Sequence, residues 1–184
     1  MTKTAVIGTT SWGTTLATIL AKTSEVFLCC RTEEEAITLN KERQNNRFLP
    51  DISFPDELTA TSSYKDALMD IDMLVIAVPS NTFRQNVISV IPYLPDQCVI
   101  LSATKGLEVT SNQRMTEILE DELPSTLKDA LAVLSGPNLA KEISLDMPAS
   151  TVVASSNKEV ALKIQSLFNS ETFRVYTSDD VVGV

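Results

Sequence analysis

A short apolar strand, a tight turn with two glycines and an apolar-patterned helix follow one another at the start of the chain. The strand runs into Gly8, and the helical spacing of apolar residues begins at Trp12, just before Gly13. In this context Gly8 can adopt the backbone angles of a tight turn, and Gly13 lets the helix pack closely on the strand. The free N–H groups of the helix N-terminus, near Ser11 and Trp12, can receive a pyrophosphate. The stretch therefore predicts a dinucleotide-binding turn.

The turn departs from the Gly-x-Gly-x-x-Gly fingerprint at its middle glycine, which is Thr10 here. That glycine normally lets the pyrophosphate approach the backbone, whereas a β-branched side chain adds bulk and resists positive φ. We therefore expect that the cofactor sits farther out, that the turn adjusts, or that binding is weakened. A strand, a turn and a helix with one or two glycines also occur in other α/β proteins.

Strand and helix patterns alternate along the rest of the chain. Apolar runs predict strands at 26–30, 58–61, 71–78, 98–103, 131–134, 151–154 and 173–176. Helical patterns occupy 33–44, 82–91, 112–123, 139–143 and 158–168, and 45–50 is predicted as a loop. Strands that alternate with helices imply right-handed crossovers and a mainly parallel sheet. The predicted fold is therefore α/β, a doubly wound, Rossmann-like dinucleotide-binding domain over residues 1–184.

Composition excludes several classes of function. The net charge is −9 without a basic cluster, which argues against a nucleic-acid partner or an anionic membrane. The absence of histidine removes Ser/His and Cys/His catalysis and the commonest metal ligand. The three cysteines form no C-x-x-C motif, so we expect no metal site and no disulfide framework. With no signal peptide and no membrane span in the sequence, we expect a cytoplasmic protein.

Ligands of a doubly wound sheet bind beyond the carboxyl ends of its strands. Small, polar or cationic residues follow five of the predicted strands, at 8–12, at Arg31, at 79–80, at 104–106 and at 136–138. The agreement of these five places predicts one shared site.

Arg31 stands where many dinucleotide sites contact the adenosine ribose. A cation there accommodates a 2′-phosphate, so Arg31 slightly favours NADP over NAD if it faces the cleft. The alternative is a surface arginine that pairs with the acidic residues at 33–35.

Lys105 ends a strand, where it offers a point charge to a phosphate or to a polarised carbonyl. The alternative is a solvated loop lysine. The segment 135–140 can present backbone N–H groups at a new helix, with Pro137 at or near its first position.

Five short strings occur in the order found in one enzyme family. They are GTTSWGTTLA at 8–17, NNRFLP at 45–50, AVPS at 77–80, SATKG at 102–106 and LSGPNLA at 134–140. Together they resemble the N-terminal domain of bacterial NAD(P)-dependent glycerol-3-phosphate dehydrogenases, and the resemblance covers the whole chain. It implies an oxidoreductase that reduces dihydroxyacetone phosphate to sn-glycerol 3-phosphate for phospholipid synthesis.

The resemblance also implies a role for individual residues. Besides Gly8 and Gly13 of the turn, the cofactor would contact Ser11, Trp12, Arg31, Lys105 and Ala140. The small phosphate substrate would contact Lys105, Gly136 and Asn138, and Lys105 would have a catalytic role.

The family's second, helical domain lies outside these 184 residues, and residues 180–184 resemble the segment that leads into it. Because that domain supplies a catalytic lysine and the site for the substrate phosphate, we expect the chain alone to be inactive. A homodimer is a further expectation. Two alternatives stay open: a dehydrogenase of the same superfamily with another substrate, and a non-enzymatic nucleotide-binding or interaction module with a degenerate turn. The pairing of 105–106 with 136–138 argues against the first.

Overall fold

An eight-stranded sheet forms the centre of the computed structural model, which describes all 184 residues. Its strands are β1 (Thr2–Ile7), β2 (Ser24–Cys29), β5 (Leu58–Thr61), β6 (Met73–Ile76), β7 (Val99–Ser102), β8 (Leu131–Ser135), β9 (Ala149–Ala154) and β10 (Phe173–Ser178). A separate two-stranded antiparallel hairpin consists of β3 (Gln44–Asn45) and β4 (Leu49–Ser53).

Seven helices complete the fold. They are α1 (Ser11–Leu20), α2 (Glu33–Glu42), α3 (Tyr64–Ala67), α4 (Phe83–Val90), α5 (Met115–Glu122), α6 (Ala140–Ser144) and α7 (Lys158–Phe168). Three short 3₁₀ turns occupy Ser80–Thr82, Ile91–Tyr93 and Ser125–Ala130. No helix is both long enough and apolar enough to cross a membrane.

Alternate residues of the central strands face two different hydrophobic cores. Val6 of β1 and Val75 of β6 belong to a core of 30 buried residues that includes side chains of α1, α2, α6 and α7. Their neighbours Ile7 and Ile76 belong to a core of 19 buried residues that includes side chains of α3, α4 and α5. The strands are apolar on both faces because helices cover both faces of the sheet.

The order of the strands creates a crevice at one edge of the fold. The spatial order is β10-β9-β8-β7-β6-β1-β2-β5. The chain runs outward from β1 through β2 to β5, returns to β6 beside β1, and then proceeds to β7 and β8. Neighbouring strands are parallel except for β8 and β9. Because the direction of winding reverses between β1 and β6, the carboxyl ends of these two strands open a ligand crevice.

The predicted elements agree with this architecture, and most differences lie at their ends. The strand at 58–61 and the helix at 158–168 are confirmed with the same bounds. The predicted strand at 71–78 is shorter, and the predicted helix at 112–123 begins only at Met115. The loop predicted at 45–50 is confirmed only at 46–48, which form the turn of the β3–β4 hairpin, because Asn45 ends β3 and the buried Leu49 begins β4.

Candidate functional site

The glycine-rich turn after β1 has the geometry that its two glycines allow. Gly8 has a φ of 117°, and a Cβ at this position would lie 2.4 Å from the Ala77 carbonyl oxygen. At Gly13 a Cβ would lie 2.0 Å from the Gly8 carbonyl oxygen. Both contacts are with backbone and cannot be relieved by a side-chain rotation. The turn therefore brings the N-terminus of α1 directly over the end of β1 only because both residues lack a side chain.

The N-terminus of α1 is open to an anion. Thr10 is its N-cap residue, and no side chain caps the helix. The first hydrogen bond onto the cap is donated by the Thr14 N–H to the Thr10 carbonyl oxygen, at 2.9 Å. The N–H groups of the first turn are therefore left for a ligand, and together with the helix dipole they fit a pyrophosphate.

The threonine in place of the middle glycine causes no backbone strain. Thr10 has φ −67° and ψ 170°, an extended conformation that any residue adopts. The turn therefore needs a positive φ at Gly8 and not at Thr10. Of the two effects expected from Thr10, only the added side-chain bulk applies in this fold.

The ends of β6 and β7 are tied together beside this turn. The Thr104 hydroxyl accepts a hydrogen bond from the Val78 N–H at 3.2 Å, and the Trp12 indole N–H donates to the Ala103 carbonyl oxygen at 3.0 Å. These contacts hold the start of the loop after β7 against α1. The next residue, Lys105, projects from that loop, and its Nζ donates to the Gly136 carbonyl oxygen at 2.8 Å.

Two connected clefts run along the carboxyl edge of the sheet. The first, of about 380 Å³, brings together five of the predicted site residues, namely Ser11, Trp12, Lys105, Asn138 and Ala140. The second, of about 350 Å³, is lined by Gly8 and Arg31. Thr10, Val78 and Pro79 line both clefts. Residues that are distant in sequence thus form one continuous groove, with Gly13 buried beneath it.

The segment after β8 differs from its prediction at the start of the helix. Helix α6 begins at Ala140, three residues after Pro137, so the proline is not at its first position. Asn138 instead shapes the connection, because its Nδ2 donates to the Ser150 carbonyl oxygen at 2.8 Å. Its Oδ1 is buried without a hydrogen-bond partner. Gly136 fits tightly here, since a Cβ would lie 3.0 Å from that same Oδ1.

Two polar residues that the sequence analysis did not single out connect the turn to its surroundings. The Glu35 carboxylate accepts hydrogen bonds from the Thr9 hydroxyl at 2.6 Å and from the Arg31 N–H at 3.1 Å. The buried Asn45 amide donates to the Thr9 carbonyl oxygen at 2.8 Å. The Arg31 guanidinium itself is exposed and pairs with no carboxylate, contrary to the alternative of a surface ion pair. An acidic residue 22 positions after Gly13 was the sequence signal for Glu35.

The buried cysteines offer no nucleophile to the groove. Burial, and then the neighbouring Cys30, raise the pKa of Cys29 to about 12, and burial raises that of Cys98 to about 11. All three thiols are free and buried. Because only the thiolate is reactive, these residues act as small apolar side chains of the core. No group of three or more His, Cys, Asp or Glu residues is arranged to hold a metal ion.

An ion-pair network supports the loop that carries Lys105. The Arg84 guanidinium of α4 binds both carboxylate oxygens of Glu108, with Nε–Oε1 and Nη2–Oε2 distances of 2.9 Å, and also binds Glu122 of α5. Hydrogen bonds from Arg84, and secondarily from the Ser111 hydroxyl, lower the pKa of Glu108 to about 2. The network therefore ties the loop after β7 to the two helices α4 and α5.

Acid is expected to remove the stabilisation by this network. Because the pKa of Glu108 lies below its ordinary value of 4.5 in the folded chain, its contribution is complete above that value and is lost as the pH falls towards about 2. The free energy of unfolding of the chain and of Glu108→Gln, measured by urea denaturation, should therefore differ near neutral pH and converge in acid. The exposed Glu120, which forms no ion pair, provides the control Glu120→Gln. A difference that is independent of pH would contradict the assignment.

Together, the fold and the groove define a class of protein. The strands β5-β2-β1-β6-β7-β8 follow the 3-2-1-4-5-6 order of doubly wound dinucleotide-binding folds, with the glycine-rich turn at the central β1. This is a dinucleotide-binding domain of the Rossmann type. Residues 3–161 match the profile described as NAD-dependent glycerol-3-phosphate dehydrogenase N-terminus. The chain therefore belongs to this family.

Individual relatives agree with the family match. The chain is 42% identical over 186 residues to a glycerol-3-phosphate dehydrogenase [NAD(P)+] of Dehalococcoides mccartyi, and the match covers 100% of the chain and 52% of the relative. It is 42% identical over 182 residues to the enzyme of the same description from Corynebacterium diphtheriae, covering 98% of the chain and 55% of the relative. The chain thus spans about half the length of the curated relatives it matches.

A solved structure shows the same architecture. The crystal structure of glycerol-3-phosphate dehydrogenase from Coxiella burnetii superposes with a TM-score of 0.91 at 32% sequence identity. The superposition covers 99% of the chain and 55% of that protein. The prediction of a doubly wound, mainly parallel sheet is confirmed.

Proposed function

We propose that this chain forms the NAD(P)-binding half of a glycerol-3-phosphate dehydrogenase that reduces dihydroxyacetone phosphate to sn-glycerol 3-phosphate for phospholipid synthesis. The observation that supports this most directly is the groove, which joins the open N-terminus of α1 to Lys105 and to the segment after β8. A nucleotide-binding turn and a cation for a phosphorylated substrate therefore lie in one place.

We assign each end of the dinucleotide to its own residues of the groove. When bound, the nicotinamide cofactor supplies the hydride. The first-turn N–H groups of α1, at Ser11 and Trp12, would hold its pyrophosphate, because they have no side-chain cap. Gly8 and Arg31 line the cleft on the adenosine side, and Ala140 lines the cleft on the opposite side. Gly13 acts from below by keeping α1 close to the turn.

Lys105 is the one cationic side chain that lines the first cleft. Its ammonium group is held by the Gly136 carbonyl oxygen and can turn from that acceptor to the substrate. A positive charge there stabilises the negative charge that develops on the carbonyl oxygen when a hydride is delivered. Gly136 and Asn138, on the adjoining segment, would contact the same substrate. A proton must still be supplied to the new hydroxyl group, and we assign that role to the second half of the enzyme.

The second half of the relatives therefore decides whether the chain is active. We propose that the 184 residues alone bind the cofactor and do not catalyse its oxidation. Three free, buried cysteines support a reducing cytoplasmic location. The homodimer stays a prediction, which sedimentation velocity of the chain would test. The alternative of a non-enzymatic nucleotide-binding module shares the turn and differs only in lacking activity when the second half is supplied.

Saturable binding of NADH or NADPH is the first expected result. Trp12 is the only tryptophan and lies on the turn, so its fluorescence reports binding directly. No binding of either cofactor at millimolar concentration would contradict the proposal for this chain. Thr10→Gly then separates two causes of absent binding, namely the side-chain bulk of Thr10 and the lack of the relatives' second half in the 184 residues. Only a defect caused by the bulk of Thr10 should be rescued by this variant.

Activity is tested by joining the chain to the second half of a relative. A chimera of this chain with the second half of the Dehalococcoides mccartyi relative should oxidise NADH or NADPH when dihydroxyacetone phosphate is added. The chain alone, at the same concentration, should not. A chimera that binds the cofactor and remains inactive would favour the non-enzymatic module.

A further inference from the structure

A carboxylate lies directly beside the glycine-rich turn, and its position bears on which dinucleotide the groove prefers. The partly buried Glu35 is held by the Thr9 hydroxyl at 2.6 Å and the Arg31 N–H at 3.1 Å. Thr9 follows Gly8 in the turn, and Arg31 follows the end of β2. The carboxylate therefore bridges the carboxyl ends of the two neighbouring strands β1 and β2.

This bridge is where a dinucleotide site contacts the adenosine ribose. With the pyrophosphate on the N-terminus of α1, the ribose lies over the ends of the first two strands, and an acidic residue about 20 positions after the glycines accepts from its 2′-hydroxyl. Glu35 follows Gly13 by 22 positions, since 35 − 13 = 22. The negative charge of Glu35 also acts on the residue after β2, Cys30. Burial first, and then the Glu35 carboxylate, raise the pKa of the Cys30 thiol to about 12.

The cations nearby are held less firmly than this carboxylate. A cleft of about 480 Å³ next to the turn is lined by two arginines, Arg31 and Arg47, and by three glutamates, Glu34, Glu35 and Glu42. Both guanidinium groups are exposed, and that of Arg47 lies 4.8 Å from the centre of the Phe48 ring. Neither arginine forms an ion pair. Of the five charged residues, only Glu35 is hydrogen-bonded to the turn through its side chain.

We propose that Glu35, which lines the cleft of about 480 Å³ that shares Thr9 and Arg31 with the second cleft of the groove, makes the cofactor site select NADH over NADPH. Its carboxylate accepts a hydrogen bond from the 2′-hydroxyl of NADH and repels the 2′-phosphate of NADPH. Arg31 by itself favours NADP, because its guanidinium is a cation. Its backbone N–H, however, donates a hydrogen bond to the Glu35 carboxylate, so a negative charge lies beside it. The inference rests on the proposed function, because it concerns the selectivity of the same cofactor site.

Glu35→Gln tests the proposal, with both dinucleotides titrated against Trp12 fluorescence at one ionic strength. The amide keeps an oxygen for the Thr9 hydroxyl and removes the charge. We expect the wild-type chain to bind NADH at least about tenfold more tightly than NADPH, and the variant to lose about tenfold of that preference through tighter NADPH binding. The matched control is Glu33→Gln. Glu33 lies in the same first turn of α2 and lines neither the cleft of about 480 Å³ nor the second cleft of the groove, so the ratio of the two dissociation constants should stay unchanged.

The outcomes separate this inference from the proposed function. If neither dinucleotide binds, the proposed function fails. If both bind but NADPH is the tighter ligand of the wild-type chain, or Glu35→Gln leaves the ratio of dissociation constants unchanged, the role of Glu35 is wrong and the function stands. If Glu33→Gln shifts the ratio as much as Glu35→Gln, the effect is one of net charge and also overturns the proposal.

Discussion

Gly13→Ala is expected to abolish dinucleotide binding and to lower the free energy of unfolding by about 3 kcal/mol or more. The added Cβ would lie 2.0 Å from the Gly8 carbonyl oxygen. Neither partner can move cheaply, since one is in the first turn of α1 and the other is in the turn that follows the central strand. Helix α1 must therefore shift away from β1, and its N–H groups then leave the place where the pyrophosphate binds.

The measurement combines urea denaturation with the Trp12 fluorescence titration. Gly183→Ala provides the matched control, because its Cβ would meet only the Asp180 carboxylate, an exposed and flexible side chain. This variant should unfold within about 0.5 kcal/mol of the wild-type chain and bind the cofactor equally well. A Gly13→Ala chain with near wild-type stability and affinity would show that the turn does not need the close approach of α1.

Lys105→Met is expected to lower kcat/KM for dihydroxyacetone phosphate by about two to three orders of magnitude in the active chimera. The substitution keeps the length and the apolar stem of the side chain and removes its charge. Because Lys105 is the one cation of this chain that lines the first cleft, no other charged side chain of the chain can stabilise the developing alkoxide there. The effect should appear in kcat as well as in KM, since the charge acts on the transition state.

Lys128→Met is the control for this experiment. Lys128 is an exposed residue of the 3₁₀ turn that leads into the amino end of β8, so it lies away from the groove at the carboxyl ends of the strands. Its loss changes the net charge equally and should leave kcat/KM unaltered. The free energy of unfolding of the Lys105→Met chain, measured by urea denaturation, shows whether the fold is intact. A Lys105→Met chimera with undiminished kcat would remove this residue from the catalytic role.

The places where sequence and structure agree share a physical origin. The helix at 158–168 and the strand at 58–61 have the bounds that the sequence predicts, because their side-chain periodicity follows from which face is buried. The roles of Gly8 and Gly13 in the turn could likewise be predicted, since only glycine tolerates such backbone angles and contacts. That the residues after five strands meet at one edge of the sheet could be predicted from a general property of doubly wound sheets.

The hairpin at 44–53 could not be predicted from its sequence. Its strands are short, β3 having only two residues, and such a segment carries no periodicity that distinguishes it from a loop. Its register depends on the αL conformation of Arg43 and on burial of Leu49 and Phe54. The antiparallel placement of β9 beside β8 could not be predicted from the sequence either, because strand direction depends on how the intervening chain packs.

The sequence alone determined the fold class, the family resemblance, and the small and cationic residues that end the strands, because these depend on local periodicity and short strings. The tertiary structure decided which polar groups meet: Glu35 at Thr9, Arg84 at Glu108, and Lys105 at Gly136. The partners in these pairs are 26, 24 and 31 residues apart. Hydrogen bonds over such separations form only when the packed sheet and its helices bring distant segments together, so no local pattern in the sequence specifies these pairs.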